Sequence, residues 1–513
     1  MNHKMSPLYL SGAKLIGLIV ALATVAFLQI LDLTIANVAL STIAGNLGTS
    51  SSQATWVITS FAVSNAISIP LSGWLAKYFG EVKLFLFSIL LFVFASWLCG
   101  VSNSLEMLII SRVLQGAVSG PIIPLSQSLL LANSPDSKKN MSLAIWSMTI
   151  IIAPVCGPIL GGWISDNLFW GWIFLLNVPI GLIAWISIRI LLKGRETEIS
   201  KSRIDTIGLA LLIFGVGSLQ LILDRGKELD WFNSSEIIIL SVIALVTLSF
   251  FVLWEMTSNH PIVDLSLFRS RNFTVGTICI SLAFLLHIGT LVMQPQLLQR
   301  VFGYTATWAG LALSPIGLVP IVLAPIVGRL VPYLDMRKLV TFGFIVFALC
   351  FFWRAYSFEP NMDFSSSAWP QFFQGFAIAC FVMPLNIIIL TDIPSHKLAA
   401  AGSLFNFFRT LSTSIGTSLT NSLWEHREAI HHNQLTDLMN QNTQTLEYTY
   451  QQFQLQGFSE TQASAKLAQN ITNQGLVIAT NEIFWLYGII FLLLIIVVWF
   501  AKSTITSKNE IEK

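Results

Sequence analysis

Fourteen apolar runs, each near the roughly 20 residues an α-helix needs to cross a bilayer, follow one another along this 513-residue chain. They lie at 15–40, 53–75, 83–101, 105–130, 141–164, 171–192, 206–224, 236–256, 273–298, 307–330, 338–357, 370–392, 398–423 and 480–501. Backbone groups in hydrocarbon must be satisfied internally, so runs of this length are read as helices. The predicted fold class is an all-α polytopic membrane protein with 14 transmembrane helices. Composition agrees: charged residues are 11% of the chain, against about 25% in soluble domains, which excludes a soluble enzyme. Hydrophobic residues at 54% exclude a disordered chain. Lys4 and Lys14 precede the first run, but no small-residue cleavage site follows it, so it reads as a first span and not a signal peptide. Cys99, Cys156, Cys279, Cys350 and Cys380 all fall inside apolar runs without CxxC spacing, as small buried hydrophobes would. No basic block is dense enough to suggest nucleic acid.

The loops orient the chain. Those on the side of the N-terminus hold Lys77, Lys83, Lys138, Lys139, Arg195, Lys201, Arg203, Arg269, Arg271, Arg337, Lys338 and Lys397, with Lys4 and Lys502 in the tails. The opposite loops hold only Arg225, Lys227, Arg300, Arg427 and Lys466. The positive-inside rule therefore predicts both termini in the cytoplasm. Polar stretches at 194–205 and 257–272 divide the spans into six, two and six. A further polar stretch, the outer loop 425–478, is rich in Gln, Asn and Thr, with weak amphipathic character around Ala463, Ala465 and Leu467. It reads as a solvated, partly disordered loop, and its place outside also leaves it free to meet a partner.

Ionisable side chains at membrane depth cost about 2.5–3.5 kcal/mol each on insertion scales and persist where they face a cavity or a partner. Here they are Asp32, Arg112, His287 and Arg409, with Arg354 and Glu482 nearer helix ends. Asp32 is expected on the cavity side of the first helix, on a partly polar face with Gln29, where it could load and release a proton; a structural pairing with Arg112 is the alternative. Arg112 stays charged when buried and needs an anion, carbonyls or water. Ala153, Gly157 and Gly161 recur every four residues on the fifth helix beside Pro154, Pro158 and Gly162, which reads as a flexing interface between halves. Asn406 and Arg409 on the thirteenth helix, with Gln294 and Gln296 around Pro295 on the ninth, are candidate linings of a cavity in the second half. No Walker, HExxH or GxSxG motif is present, and nothing calls for a cofactor or a metal.

Four motifs, LDLTIANVAL, GWLAKYFGEVK, SRVLQG and APVCGPILGG, resemble the signatures of the major facilitator superfamily, in the order and spacing of its fourteen-span drug:proton antiporter branch. The resemblance implies two six-helix bundles, 1–194 and 273–513, around a central cavity, with two extra helices in the linker 195–272. It implies proton-driven efflux of hydrophobic drugs across a bacterial inner membrane. It also implies a periplasmic membrane-fusion adaptor and an outer-membrane channel as partners. Asp32, with Thr34 and Asn37, matches the family's helix-one acid, and Arg112, with Gln115 and Gly116, its helix-four arginine. Gly157, Pro158, Gly161 and Gly162 match its helix-five motif. In the loop after the second helix Gly73 and Gly80 are kept, but Lys77 and Glu81 stand in reversed charge order, which would preserve a complementary pair. A narrower exporter of fatty acids or bile-salt-like amphiphiles would share all of these features. A membrane enzyme would need an acid, base or metal cluster near one surface, and a channel would not need the two-bundle repeat.

Overall fold

The computed structural model describes residues 9–503, apart from 50, 55, 198, 200–204, 227–228, 259–260, 331–333, 360–361, 395–396 and 442. Every regular element among the described residues is helical. The first six long helices are α1 (Gly12–Leu47), α2 (Trp56–Phe79), α3 (Glu81–Gly100), α4 (Leu105–Asn133), α5 (Lys139–Asn167) and α6 (Trp172–Leu191). The next two are α7 (Thr206–Arg225) and α8 (Ser235–Thr257). Then come α9 (Arg271–Arg300), α10 (Thr307–Leu330), α11 (Met336–Ser357), α12 (Phe364–Leu390), α13 (Leu398–Gln441), α14 (Thr443–Leu455) and α15 (Glu460–Val498). Side-chain caps fix several starts: Ser104 accepts from Met107 N–H at 3.2 Å, Asp205 from Gly208 N–H at 2.9 Å and Asp363 from Ser366 N–H at 3.2 Å.

Thirteen of the described helices are long and apolar enough to cross a membrane. The run expected at 398–423 is helical, as part of α13, but is not among the thirteen. The reason is local: Arg409, Thr410, Thr413, Ser414, Thr417, Ser418, Asn421 and Ser422 line a cavity, so this stretch needs no lipid-like composition.

Within the first group α1 packs on α5 and α6, α2 on α4, and α3 on α4 and α6; in the last group α9 packs on α12 and α13, and α11 on α12 and α15. Small and polar residues let these helices approach, as expected where lipid supplies no hydrophobic drive. Asn65 Nδ2 donates to Ser119 Oγ at 2.6 Å, and a methyl at Gly120 would stand 2.1 Å from Ser68 Oγ. The last group has an aromatic core in which Phe347 stacks on Phe491 at 4.4 Å and on Phe381 edge-to-face at 5.7 Å.

Two seams join the groups, α5 on α10 and α2 on α13. Along the first, glycines of α10 receive side chains of α5. A methyl at Gly310 would meet Ile159 at 2.9 Å, and one at Gly328 would meet Ala144 at 3.0 Å. The α2–α13 seam closes near the end that bears the termini, where Ser403 Oγ donates to Ile69 O at 2.7 Å. Here Gly73 lies against Ala400, whose Cα would be 3.4 Å from an added methyl. The extra helices pack on each other, and α7 also packs on α2 and α13. The outer face of α8 is apolar and exposed at Ile239, Val242, Leu245 and Leu253. Asp205 accepts from Trp254 Nε1 at 2.6 Å, and Lys397 pairs with Asp264 at 2.7 Å, which ties both linker segments to the helices they join. Burial alone would push the Asp264 carboxyl up, but Lys397 and Ser266 hold it below the usual carboxylate range.

The segment 425–478 is not a loop. α13 runs on to Gln441, α14 follows, and α15 begins at Glu460 behind a capping box of Ser459 and Gln462. The three form a helical extension. Trp424 Nε1 donates to Thr480 Oγ1 at 2.8 Å, Arg427 Nε to Glu482 Oε2 at 2.6 Å, and His432 faces Thr472 at 3.2 Å. The polar composition that suggested a loop belongs to helices solvated on most of their faces.

Candidate functional site

A cavity of about 750 Å³ lies between the two groups, lined by the halves of α1, α2, α5, α7, α9 and α13 that are distant from the termini. Of the residues expected at a cavity, Gln29, Thr34, Gln296 and Arg409 line it, and so does Gly162 of the helix-five motif. Its walls mix Ile30, Leu33, Phe284 and Leu291 with hydroxyls and amides, the apolar body with few polar anchors that suits amphiphilic ligands. The Arg409 guanidinium lies 5.3 Å from the Phe284 ring centroid, and one of its terminal nitrogens has no hydrogen-bond partner among the described residues. The remaining expected linings fall elsewhere. Gln294 is buried and accepts from Gln371 Nε2, and Asn406 Nδ2 donates to Gly402 O at 2.7 Å within its own helix. The side chain of Asn37 lies outside the described residues, as does that of Pro158. Sequence reasoning missed Gln220 and Asp224 of α7, which bring an extra helix into the cavity wall.

Asp32 is not on the cavity. It faces the interior of the first group, although only about 60° around the helix separates it from Gln29. There it forms an ion pair with Arg112, both side chains fully buried. Gln115 Nε2 and Asn177 Nδ2 donate to Asp32 Oδ1 at 3.1 and 3.0 Å. Arg112 also donates from Nε to Val57 O at 2.9 Å and from NH1 to Gln115 Oε1 at 2.9 Å, and its plane lies over Phe61 at 4.2 Å. Ser96 completes the cluster, accepting from Gln115 Nε2 at 2.6 Å and from Asn177 at 3.2 Å. A buried ion pair of this kind is held by the hydrogen bonds around it, which leave Arg112 NH2 and Asn177 Oδ1 without a partner among the described residues. Protonating Asp32 would cancel the attraction and free Arg112 to seek another partner. Gln115 thus serves the pair and not the cavity; Asn177 and Ser96 carried no signal in sequence beyond being polar inside apolar runs.

Residues 22–417 match the family described as Major Facilitator Superfamily. The chain belongs to the major facilitator superfamily. Among proteins of this superfamily, it is 61% identical over 493 residues to "Multidrug export protein EmrB" of Escherichia coli (strain K12), covering 96% of each chain. It is 50% identical over 494 residues to "Fatty acid resistance protein FarB" of Neisseria gonorrhoeae, covering 96% of this chain and 97% of the relative. The human organic anion transporter MFSD10 superposes with a TM-score of 0.60 at 12% identity, covering 95% of this chain and 100% of that one. The proton:xylose symporter XylE superposes with a TM-score of 0.58 at 12% identity, covering 96% and 97%. These two likenesses concern the fold alone. Membership in the superfamily makes the chain a multi-pass membrane transporter and not an enzyme.

In this superfamily member the helix-five glycines serve α1. A methyl at Gly157 would stand 2.2 Å from Thr34 Oγ1, and one at Gly161 2.6 Å from Ile35 O. The expectation of a flexing interface between halves is therefore corrected. Gly157 and Gly161 allow close packing inside the first group, and the face of α5 that meets the other half carries Ala144, Ser147, Ile152, Val155 and Ile159. The expected Lys77–Glu81 pair is also corrected. Lys77 is exposed and makes no ion pair among the described residues, while Glu81 accepts from Ser128 Oγ at 2.9 Å. The residue that organises the loop is Glu196, from the polar segment after α6. Its carboxylate accepts from Val82 and Lys83 N–H at 2.9 Å each, capping the start of α3. Gly80 makes room for it, with φ +91° and a built methyl 2.4 Å from Glu196 Oε1. Gly80→Ala is expected to destabilise the protein by about 1–3 kcal/mol, from backbone strain and the loss of this cap. The apparent melting midpoint in detergent should fall clearly, and further than for Glu196→Gln, which keeps an acceptor. An unchanged midpoint for Gly80→Ala would refute this account of the loop.

Proposed function

We propose that the chain exports hydrophobic drugs and toxicants across the bacterial inner membrane in exchange for protons, as the transporter subunit of a tripartite pump. One observation carries the reading: an amphipathic cavity closed at the end bearing the termini, beside a buried Asp32–Arg112 pair that a proton can break. The relatedness to multidrug exporters over 96% of the chain supports the cargo. In this reading α13 is the fourteenth span and both termini are cytoplasmic. Residues 1–194 and 273–513 form the two moving bundles, and the linker 195–272 carries the extra pair. The cavity then faces the periplasm. Asp32 and Arg112 couple the proton, Gly73, Gly80 and Glu81 shape contacts that change during alternation, and Gly157 and Gly161 hold α1 against α5 within one moving bundle. The second reading, export of fatty acids or similar amphiphiles, has in its favour the Arg409 guanidinium with an unpartnered nitrogen in the cavity, and the 50% identity to a fatty acid resistance protein.

In the same reading the extension formed by α13, α14 and α15 docks the membrane-fusion adaptor, which connects to the outer-membrane channel. Reconstituted protein should accumulate a fluorescent hydrophobic drug under an imposed pH gradient. Deleting 435–465 should leave that uptake intact, since no described residue of the stretch lines the cavity, and should lower whole-cell resistance several-fold. No gradient-driven uptake by the full chain would overturn proton-coupled export. Full resistance in cells carrying the deletion would overturn docking.

A further inference from the structure

The cavity has an acidic corner that the charge-pair chemistry does not use. Asp224 stands near the end of α7 and lines the cavity, with its side chain exposed to it. Its oxygens accept from Gln220 Nε2 at 3.3 and 3.4 Å, one helical turn away, and no ion pair involves it among the described residues. The neighbouring Arg225 is committed to Glu236 of α8 and to the Trp56 ring. Gln220 is 1% exposed, lines the same cavity, and its Oε1 has no partner. On the facing helix, Ser418 Oγ donates to Leu223 O at 2.6 Å, which brings α13 against α7 one residue before Asp224. One turn further along α13, Asn421 lines the cavity with its Oδ1 also unpartnered. A carboxylate that already accepts from Gln220 and the Thr59 hydroxyl thus stands beside two buried amide oxygens without donors on one stretch of wall. Unsatisfied acceptors in such a place cost free energy until a donor or a positive charge arrives.

We propose that Asp224, Gln220 and Asn421 form a cation subsite that holds the positively charged head of an amphiphilic substrate while the apolar wall of the cavity takes its body. The inference rests on the reading of the cavity as the drug-binding chamber. It assigns a recognition role to α7, placing one of the extra helices in contact with cargo. The Arg409 guanidinium, on α13 twelve residues before Asn421, keeps the opposite charge three turns away along the same wall. Arg300, at the end of α9, lines the same cavity and lies over the Trp424 ring, so guanidiniums stand at two levels of the wall and Asp224 is the acid among its described lining residues.

Equilibrium dialysis of the purified full chain in nanodiscs tests this, with dodecyltrimethylammonium as the cationic probe and a neutral dodecyl ether of similar length as its partner. Wild type should favour the cation, and Asp224→Asn should lower the ratio of the two affinities about tenfold. Asp224→Glu, which restores the charge, should recover most of that ratio. An unchanged ratio in Asp224→Asn, with both probes still bound, would overturn the cation subsite while leaving the chamber standing. Binding of neither probe by wild type would overturn the chamber itself. Low yield of Asp224→Asn would move the same comparison to Asn421→Leu and Gln220→Leu. Removing the unpartnered oxygens in that pair should also lower the ratio, and an unchanged ratio there would count equally against the subsite.

Discussion

Asp32→Asn should abolish uphill export in proteoliposomes under a pH gradient while the protein still exchanges drug down its gradient. The asparagine keeps the size of the side chain and can still accept from Gln115 and Asn177. It cannot ionise, so the cycle of pairing with Arg112 and releasing it no longer depends on a proton. One proton moving down one pH unit supplies about 1.4 kcal/mol, or a tenfold accumulation for one-to-one exchange. Wild type should reach that order of accumulation, and the variant should stop at equal concentrations. The substitution also strips Arg112 of its counter-charge, and leaving a buried charge uncompensated costs about 3–5 kcal/mol. Counterflow exchange at normal rates is thus the control that separates lost coupling from lost structure. Tenfold accumulation by Asp32→Asn would remove Asp32 from the coupling step.

The second large effect concerns Arg112→Lys. The guanidinium serves three partners at once, Val57 O, Gln115 Oε1 and Asp32, in directions fixed by its plane. An ammonium on a flexible stem retains the charge but not this fork. Two of the three bonds are expected to go, at about 1–1.5 kcal/mol each, together with the contact over Phe61. Export should fall by about 10–100-fold at unchanged membrane levels. If lysine supports wild-type export rates, a point charge is all the site requires.

The partnership of Asp32 with Arg112 was legible because ionisable residues inside apolar runs are few and must find each other. The helices were legible for the same reason, that hydrophobicity at membrane depth leaves little choice of structure. The face on which Asp32 sits was not. A helix whose every side is apolar gives periodicity nothing to read, and α1 is buried against α5, α6 and the cavity at once. Asp224 was overlooked because acids at helix ends read as interfacial, and only the packing of α7 against α2 and α13 turns this end inward. Glu196 caps a helix more than a hundred residues earlier in the chain, a pairing that no local pattern announces. The same applies to 425–478, where polar helices imitate a loop in composition.

α13 is one uninterrupted helix from Leu398 to Gln441, and it begins against α2, passes the cavity with Arg409 and Asn421, and ends beyond the cavity. It is therefore a lever. The stretch from Asn421 to Gln441 is about 30 Å long at 1.5 Å per residue, so each degree of tilt at the cavity moves the tip by about 0.5 Å. Trp424, Arg427 and His432 fasten the lever to α15, so the two swing together. A protein resting on that tip would feel whether the chamber is loaded without touching the cargo, and pressure on the tip would be returned to the chamber wall.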